Sequence, residues 1–331
     1  MMNIHKINTT IADRTFLGKW SYHLYKRWKS RERHLTLGND NRDKTFYIIG
    51  YEDKSGGLFW LINKVVMHIG YAIDKHYIPI VDFMNYQTQY TNPDGLHKIN
   101  IWEEFFEQPA GYNLSDIQHS RHIIINRQEP APHPKYLMGQ EKFYDNPDRI
   151  KYFRDIFQQY IKYNAQTKEY LENLRLQLIP EGKKIVGVLC RGTDYVAIHP
   201  KGHPVQPSPE EVVKEVKKVM EMKHCDFVFL ATEDEDIIEL FQNNFASQLI
   251  FIPQERLRGS GMSGEHYLAQ EKERYLFARD RHNDALNYLA AIYILGHCNC
   301  FIGGRTGGTK GVLLTANDFD YCKIYNLGLY P

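Results

Sequence analysis

The stretch IVGVLCRGTDY, residues 185–195, decides the fold. A β-branched apolar run ends in a short loop that carries Arg191 and Asp194. It reads as a buried strand delivering a cation and a carboxylate to its C-terminal edge, where open α/β sheets bind ligands. DFVFLATED (226–234) and NCFIGGRTGG (299–308) repeat the pattern. Three such junctions suggest one polar site assembled from three strand ends.

Around these junctions the second half alternates. Strands are expected at 184–190, 226–231, 248–252, 300–303 and 321–326, with helices at 235–246, 283–297 and 309–316. A further helix opens at Ser208-Pro209-Glu210-Glu211, with Ser208 as N-cap, and a polar loop fills 254–280. The pattern is that of a Rossmann-like, doubly wound domain.

In the first half, TFYIIGY (45–51) reads as a strand, followed by the loop EDKSGG. Leu58, Leu61, Ile62, Val65, Val66, Ile69 and Ile73 then form a helical stripe, and IPIVDF (78–83) is the next strand. Strand, Gly-containing loop, helix and strand make a βαβ unit. A short helix around IWEEFFEQ (101–108), a strand at 122–126 and the Pro-rich segment 129–134 follow. Residues 147–178 are helical, as one long helix or a broken pair, capped by Asn146 with Pro147 in the first turn. Pro180 and Gly182 end this run, which sets the expected domains at 1–180 and 181–331.

Bulk properties narrow the function. A formal charge of +1 gives no global electrostatic case for nucleic acid. Five scattered cysteines argue against a disulfide framework and for a reducing compartment. Cys298 and Cys300 lack a second pair, so zinc is not expected. Cys190, beside Arg191, is either an activated thiol or, more commonly for a Cys closing an apolar strand, core. The N-terminus has no long apolar segment of a secretory signal, and no stretch reaches the roughly 18 apolar residues of a membrane span. A cytoplasmic protein is expected. The basic run KRWKSRER (26–33) is a solvated face, or alternatively a peripheral membrane or partner contact.

Arg191 suits a phosphate or diphosphate, which a guanidinium grips bidentately. Asp194 orients Arg191 or touches substrate; the alternative is an ordinary ion pair tying the loop. His199, in VAIHPKGHPVQP (196–207), is a candidate general base, with Asp194 or Glu233 as less favoured alternatives and His203 a weaker one. Thr232, Glu233 and Asp234 stand where a strand turns into a helix, so Thr232 or Asp234 is also a candidate N-cap. The D-x-D within 233–236 fits the helix N-terminus better than a metal. GGRTGGTKG (303–311) lacks the Walker A order; its backbone N–H groups at 306–309 can cradle an anion. Gly56 and Gly57 form the equivalent turn in the first half, with Asn63 and Lys64 a turn further on. Ser–His–Asp, HExxH and nucleophile-elbow signatures are absent from the sequence.

Two α/β halves with an anion site in the second suggest a GT-B-like fold, two Rossmann-like domains facing a central cleft. The motifs sharpen this. VGVLCRGTDY resembles the H-x-R-R-x-D-K/Y junction of the fucosyltransferase superfamily of α-1,2, α-1,6 and protein O-fucosyltransferases. FVFLATEDEDIIELF is similar to its second motif, and ALNYLAAIYILGHCNCFIGGRTGGTKGVL to its third. GGLFWLINKVVMHIGYAIDKHYIPIVDF resembles the family's opening loop, helix and strand; the alignment does not extend to residues 85–180. The resemblance implies that Arg191 grips the donor's β-phosphate and that Asp194 is the motif aspartate. It also implies that Thr232, Glu233 and Asp234 lie near the nucleotide or sugar, and that Asp284 reaches guanine. Arg305, Thr306, Gly307, Gly308 and Thr309 would hold the diphosphate. The chain departs from the pattern at Leu189 and Cys190, at His199 where relatives place a carboxylate, and in its Gly-rich turn. The implied activity is metal-independent, inverting transfer from a GDP-sugar, most readily GDP-fucose, to a glycan acceptor, without a cofactor. Surface-polysaccharide assembly, at most peripheral on the inner membrane, is implied with it. A non-catalytic nucleotide- or glycan-binding module on the same fold is the alternative.

Overall fold

The computed structural model describes residues 31–53, 56–91, 99–127, 131–139, 143–192, 199, 201–256 and 281–331. The chain forms two largely parallel sheets with helices packed on their faces.

The first sheet contains β1 (Arg33–Leu35), β2 (Asp40–Ile49), β3 (Ile78–Val81) and β4 (Ser120–Ile125), in the order β1-β4-β2-β3. β2 runs parallel to both β3 and β4, and β1 closes the edge antiparallel to β4. Helix α1 (Leu58–Asp74) connects β2 to β3 and buries the expected stripe apart from Ile73, which is partly buried. Gly50 ends β2 because Tyr86 crosses there: a Cβ would lie 2.1 Å from its ring. At the far edge the Gln108 side chain meets β3. Its Oε1 accepts the Val81 N–H, and its Nε2 donates to the Val81 carbonyl, both at 2.8 Å.

The helical run at 147–178 is a broken pair, α2 (Pro147–Tyr160) and α3 (Ala165–Leu178). Asn146 caps α2 through Arg149 N, and Asn164 caps α3 through Thr167 N. The helix expected at 101–108 is instead a series of turns. Phe106 pairs with Tyr163 in a bridge, Gln108 is pinned to Val81, and Asn100 bonds Phe83 N and the Val81 carbonyl. With these long-range contacts a single i→i−4 bond remains, from Phe106 N to the Trp102 carbonyl at 2.9 Å.

The second sheet is fully parallel, in the order β7-β6-β5-β8-β9. Its strands are β5 (Ile185–Leu189), β6 (Phe227–Ala231), β7 (Leu249–Ile250), β8 (Cys300–Gly304) and β9 (Tyr321–Tyr325). Helices α4 (Pro209–Lys223), α5 (Glu235–Phe245), α6 (Arg281–Gly296) and α7 (Gly307–Thr315) link them. Ser208 and Glu211 form a reciprocal capping box at α4. β7 is shorter than the expected 248–252, because the Arg256 guanidinium takes the Ile252 carbonyl at 2.6 Å.

Strand order reverses between β5 and β8, so their C-terminal ends flank a topological switch point, where ligands bind in such sheets. Both faces of this sheet are buried, as a near-continuous apolar strand requires. Val186, Val188, Val228 and Ile302 face α4 and α5. Ile185, Leu189, Phe229 and Phe301 face the other way, into a core that continues unbroken to Tyr47, Val66 and Phe153 of the first half. Helices α1 and α2 pack on α7, and α3 packs on α6.

Candidate functional site

β5 ends as the Cys190 N–H donates to the Ala231 carbonyl at 3.1 Å, and Arg191 leaves the sheet half-buried. The Glu233 carboxylate lies opposite: its Oε1 is 3.4 Å from Arg191 Nε and accepts the Gly192 N–H at 3.2 Å. One carboxyl oxygen therefore pairs electrostatically with the guanidinium and hydrogen-bonds the backbone beside it. Gly192 is required by close approach, since a Cβ would lie 2.3 Å from Asp234 Oδ2. Asp234 is the N-cap of α5, accepting from Asp236 N at 2.9 Å, and Thr232 Oγ1 accepts from Asp234 N at 3.2 Å. Thr232 and Asp234 thus shape the turn that presents Glu233.

Across the switch point, Thr306 is the N-cap of α7 and its Oγ1 accepts from Thr309 N at 3.1 Å. The Thr309 hydroxyl closes onto the Gly304 carbonyl. The N–H groups of Gly307 and Gly308 head the helix, where no intrahelical acceptor is available to them. Gly308 admits the neighbouring helix: a Cβ would meet Tyr288 Oη at 2.6 Å. Gly57, the N-cap of α1, has open space around its Cβ position.

Between these elements lies a cavity of about 230 Å³. Arg191, Thr232, Glu233, Asp284 and Thr306 line it, together with Tyr90, Gln254, Arg256, Asn287 and Tyr288. Asp284, Asn287, Tyr288 and Ala291 form one face of α6, at i, i+3, i+4 and i+7. Arg256 stacks its guanidinium on Phe251 and donates to the carbonyls of Thr232, Ile252 and Gln254. Its pKa is pushed down by burial. Tyr90 is half-buried; desolvation drives its hydroxyl pKa up, and the Leu58 backbone bonds to it.

Other expected site residues are placed differently. Arg305 is buried and turned away from the cavity. Its Nη2 binds Asp145 at 2.6 Å, and its guanidinium lies 5.2 Å from the Tyr144 ring centre. His199 is exposed, with a left-handed φ of 49°, and its ring stacks on Tyr330 at 4.7 Å. It is not among the cavity residues. Asp194 lies outside the described residues, as do 26–30 of the basic run and 257–280 of the expected loop. Cys190 is core: burial pushes its thiol pKa far up, with Glu233 and Asp234 adding to the shift, the opposite of an activated nucleophile.

Sequence reasoning missed Tyr144, Asp145 and Gln206. Tyr144 Oη donates to the Thr306 carbonyl at 2.6 Å. The Gln206 amide packs so closely on Gly304 that a Cβ there would lie 2.0 Å from its Oε1. Both brace the α7 turn from distant segments, and neither belongs to a local pattern.

No protein-family model and no curated protein matches the chain. Among solved structures it is similar to POFUT1 in complex with GDP, at 8% identity and a TM-score of 0.50, covering 85% of this chain and 99% of that one. It is also similar to a NodZ alpha-1,6-fucosyltransferase soaked with GDP-fucose, at 14% identity and a TM-score of 0.43, covering 82% and 93%. A fucosyltransferase NodZ from Bradyrhizobium gives 14% identity and a TM-score of 0.43, covering 81% and 92%. The fold assignment rests on the first of these. The chain shares the fold of that structure, which here is a two-sheet, GT-B-like α/β architecture.

Proposed function

We propose that the protein is an inverting glycosyltransferase that takes a GDP-sugar, most readily GDP-fucose, as donor and a glycan hydroxyl as acceptor. The observation that carries this reading is the placement of Arg191. It stands at the end of β5, at the switch point, on the wall of a cavity that Thr306, the N-cap of α7, also lines. In the reaction the acceptor oxygen forms a bond to the anomeric carbon, the bond to the diphosphate breaks, and the acceptor proton passes to a base. Charge builds on the leaving diphosphate, and a preorganised guanidinium beside helix N–H groups is built to stabilise it. Glu233 is a positioning residue that aims Arg191. Among the acid–base candidates placed here, it also faces the cavity, whereas His199 does not. Asp284 is the carboxylate available to the base of the nucleotide. The transfer needs no metal in this reading, and the work belongs to surface-polysaccharide assembly on the cytoplasmic side. The expected division at 180/181 would place the donor half in 181–331.

A thermal-shift comparison of GDP, UDP, CDP and ADP tests the donor class. GDP is expected to stabilise the protein most; a response to UDP alone would sink the reading. Arg191→Ala is expected to reduce transfer about 10²–10³-fold. Arg191→Lys should recover little of it, because an ammonium cannot reproduce the bidentate grip. A protein that binds GDP but releases none from GDP-fucose, with or without acceptors, would instead be the non-catalytic binding module.

A further inference from the structure

We propose that the exposed indole of Trp60 is a stacking platform for a pyranose ring of the acceptor, a second subsite beside the cavity. This inference rests on the transferase reading for the word acceptor. The platform itself stands on the geometry of the α1 entrance.

Trp60 lies in the first turn of α1 and is 42% exposed, unlike Trp102, which is 2% exposed in the core. Its exposure is not that of a loose side chain. The indole Nε1 donates to Asp53 Oδ2 at 2.9 Å. The same oxygen receives Lys64 Nζ at 2.8 Å, and Oδ1 receives the Gly56 N–H at 2.7 Å. Lys64, whose side chain is 3% exposed, sits 3.5 Å from the Tyr51 ring centre and 4.5 Å from that of Trp60. The indole is thus fixed at its polar edge and backed by a buried cation, with much of its surface left to solvent. Building a core needs no such arrangement. An aromatic ring locked before a ligand arrives gives contact area at little entropic cost.

The head of α1 that carries the platform touches neighbours of cavity-lining residues on two sides. Trp60 N lies 3.6 Å from the Cβ position of Gly307, the residue after cavity-lining Thr306. On the other side, Gln89 Nε2 donates to the Gly56 carbonyl at 2.6 Å and to Tyr90 Oη at 3.1 Å, and Tyr90 lines the cavity. A ligand resting on Trp60 would therefore lie next to whatever the cavity holds. A pyranose has an apolar C–H face that suits an indole and a hydroxyl rim that suits polar groups around it, the usual mix of a sugar subsite.

The test follows the ¹⁵N indole resonance of Trp60, assigned with Trp60→Phe, while lactose, cellobiose or N,N′-diacetylchitobiose is titrated. At least one disaccharide is expected to shift it saturably. Trp60→Ala is expected to weaken that disaccharide about tenfold or more, Trp60→Phe less, and both should bind GDP like the wild type. An indole silent to all three sugars, or a Trp60→Ala protein that binds them unchanged, overturns the platform. GDP titration of the wild type decides the donor reading separately, so the two can fail independently.

Discussion

Lys310 shows how a single residue in the site's framework records its surroundings. Its Nζ donates to the Met138 carbonyl at 2.6 Å and lies 5.9 Å from the Tyr144 ring centre, out of water. Burial pulls its pKa down to about 8. A folded-state value below the unfolded one means the unfolded chain holds the extra proton between about pH 8 and the ordinary lysine range. Stability from this group therefore rises with pH through that window; as the pH falls it is lost through the same window and is gone by about pH 8. Relative to Lys310→Met, the wild type should gain up to roughly 3 kcal/mol between pH 7 and 10. Urea unfolding of both proteins across that range measures it; a constant difference would show that Lys310 stays charged throughout. Arg305 follows the same logic of diversion. The sequence offers it as an anion ligand, and a distant Asp145 claims it instead.

At the scale of elements, α7 depends on its cap and on its contact with α1. Thr306→Ala removes the side-chain acceptor for Thr309 N and is expected to cost about 1 kcal/mol. It should also weaken GDP binding, which isothermal titration would read. Gly311 lets the Phe59 ring approach: a Cβ would lie 2.3 Å from Phe59 Cδ1. Gly311→Ala must push the two helices apart, and about 1–3 kcal/mol of destabilisation is expected in a denaturant titration. The sequence already showed β5, β6, β8 and their following helices, because apolar runs, Ser208 and Asp234 are local signals. It also showed the Arg191 junction. It did not show that His199 would stack on Tyr330, because that contact joins a loop to the chain's last residues. Nor did it show the turns at 101–108, where Gln108 and Phe106 answer to partners far along the chain. Local chemistry was legible; long-range capture of a side chain was not.

At the scale of the whole molecule, the two sheets share one apolar core, reinforced by polar tethers onto α7. Asn63 Nδ2 reaches the Gly307 carbonyl at 3.2 Å, and Arg154 reaches the Leu313 and Asn317 carbonyls at 2.9 and 2.5 Å. Residues on both sides of position 180 are thus packed as neighbours. Calorimetry is expected to show one cooperative unfolding transition. Two resolved transitions would show that the halves melt separately despite their common interior. Among the described residues no helix is long and apolar enough to cross a membrane.

The Gln108 side chain has a consequence of another kind. By offering Val81 both an acceptor and a donor, it acts as a one-residue surrogate strand. An open sheet margin invites another chain to zip onto it, which is how edge strands seed aggregates. Here that invitation is already answered by the molecule's own amide. Assembly through this margin would first have to evict Gln108; among the described residues a side chain, and not a further strand, lies against the outer edge of β3.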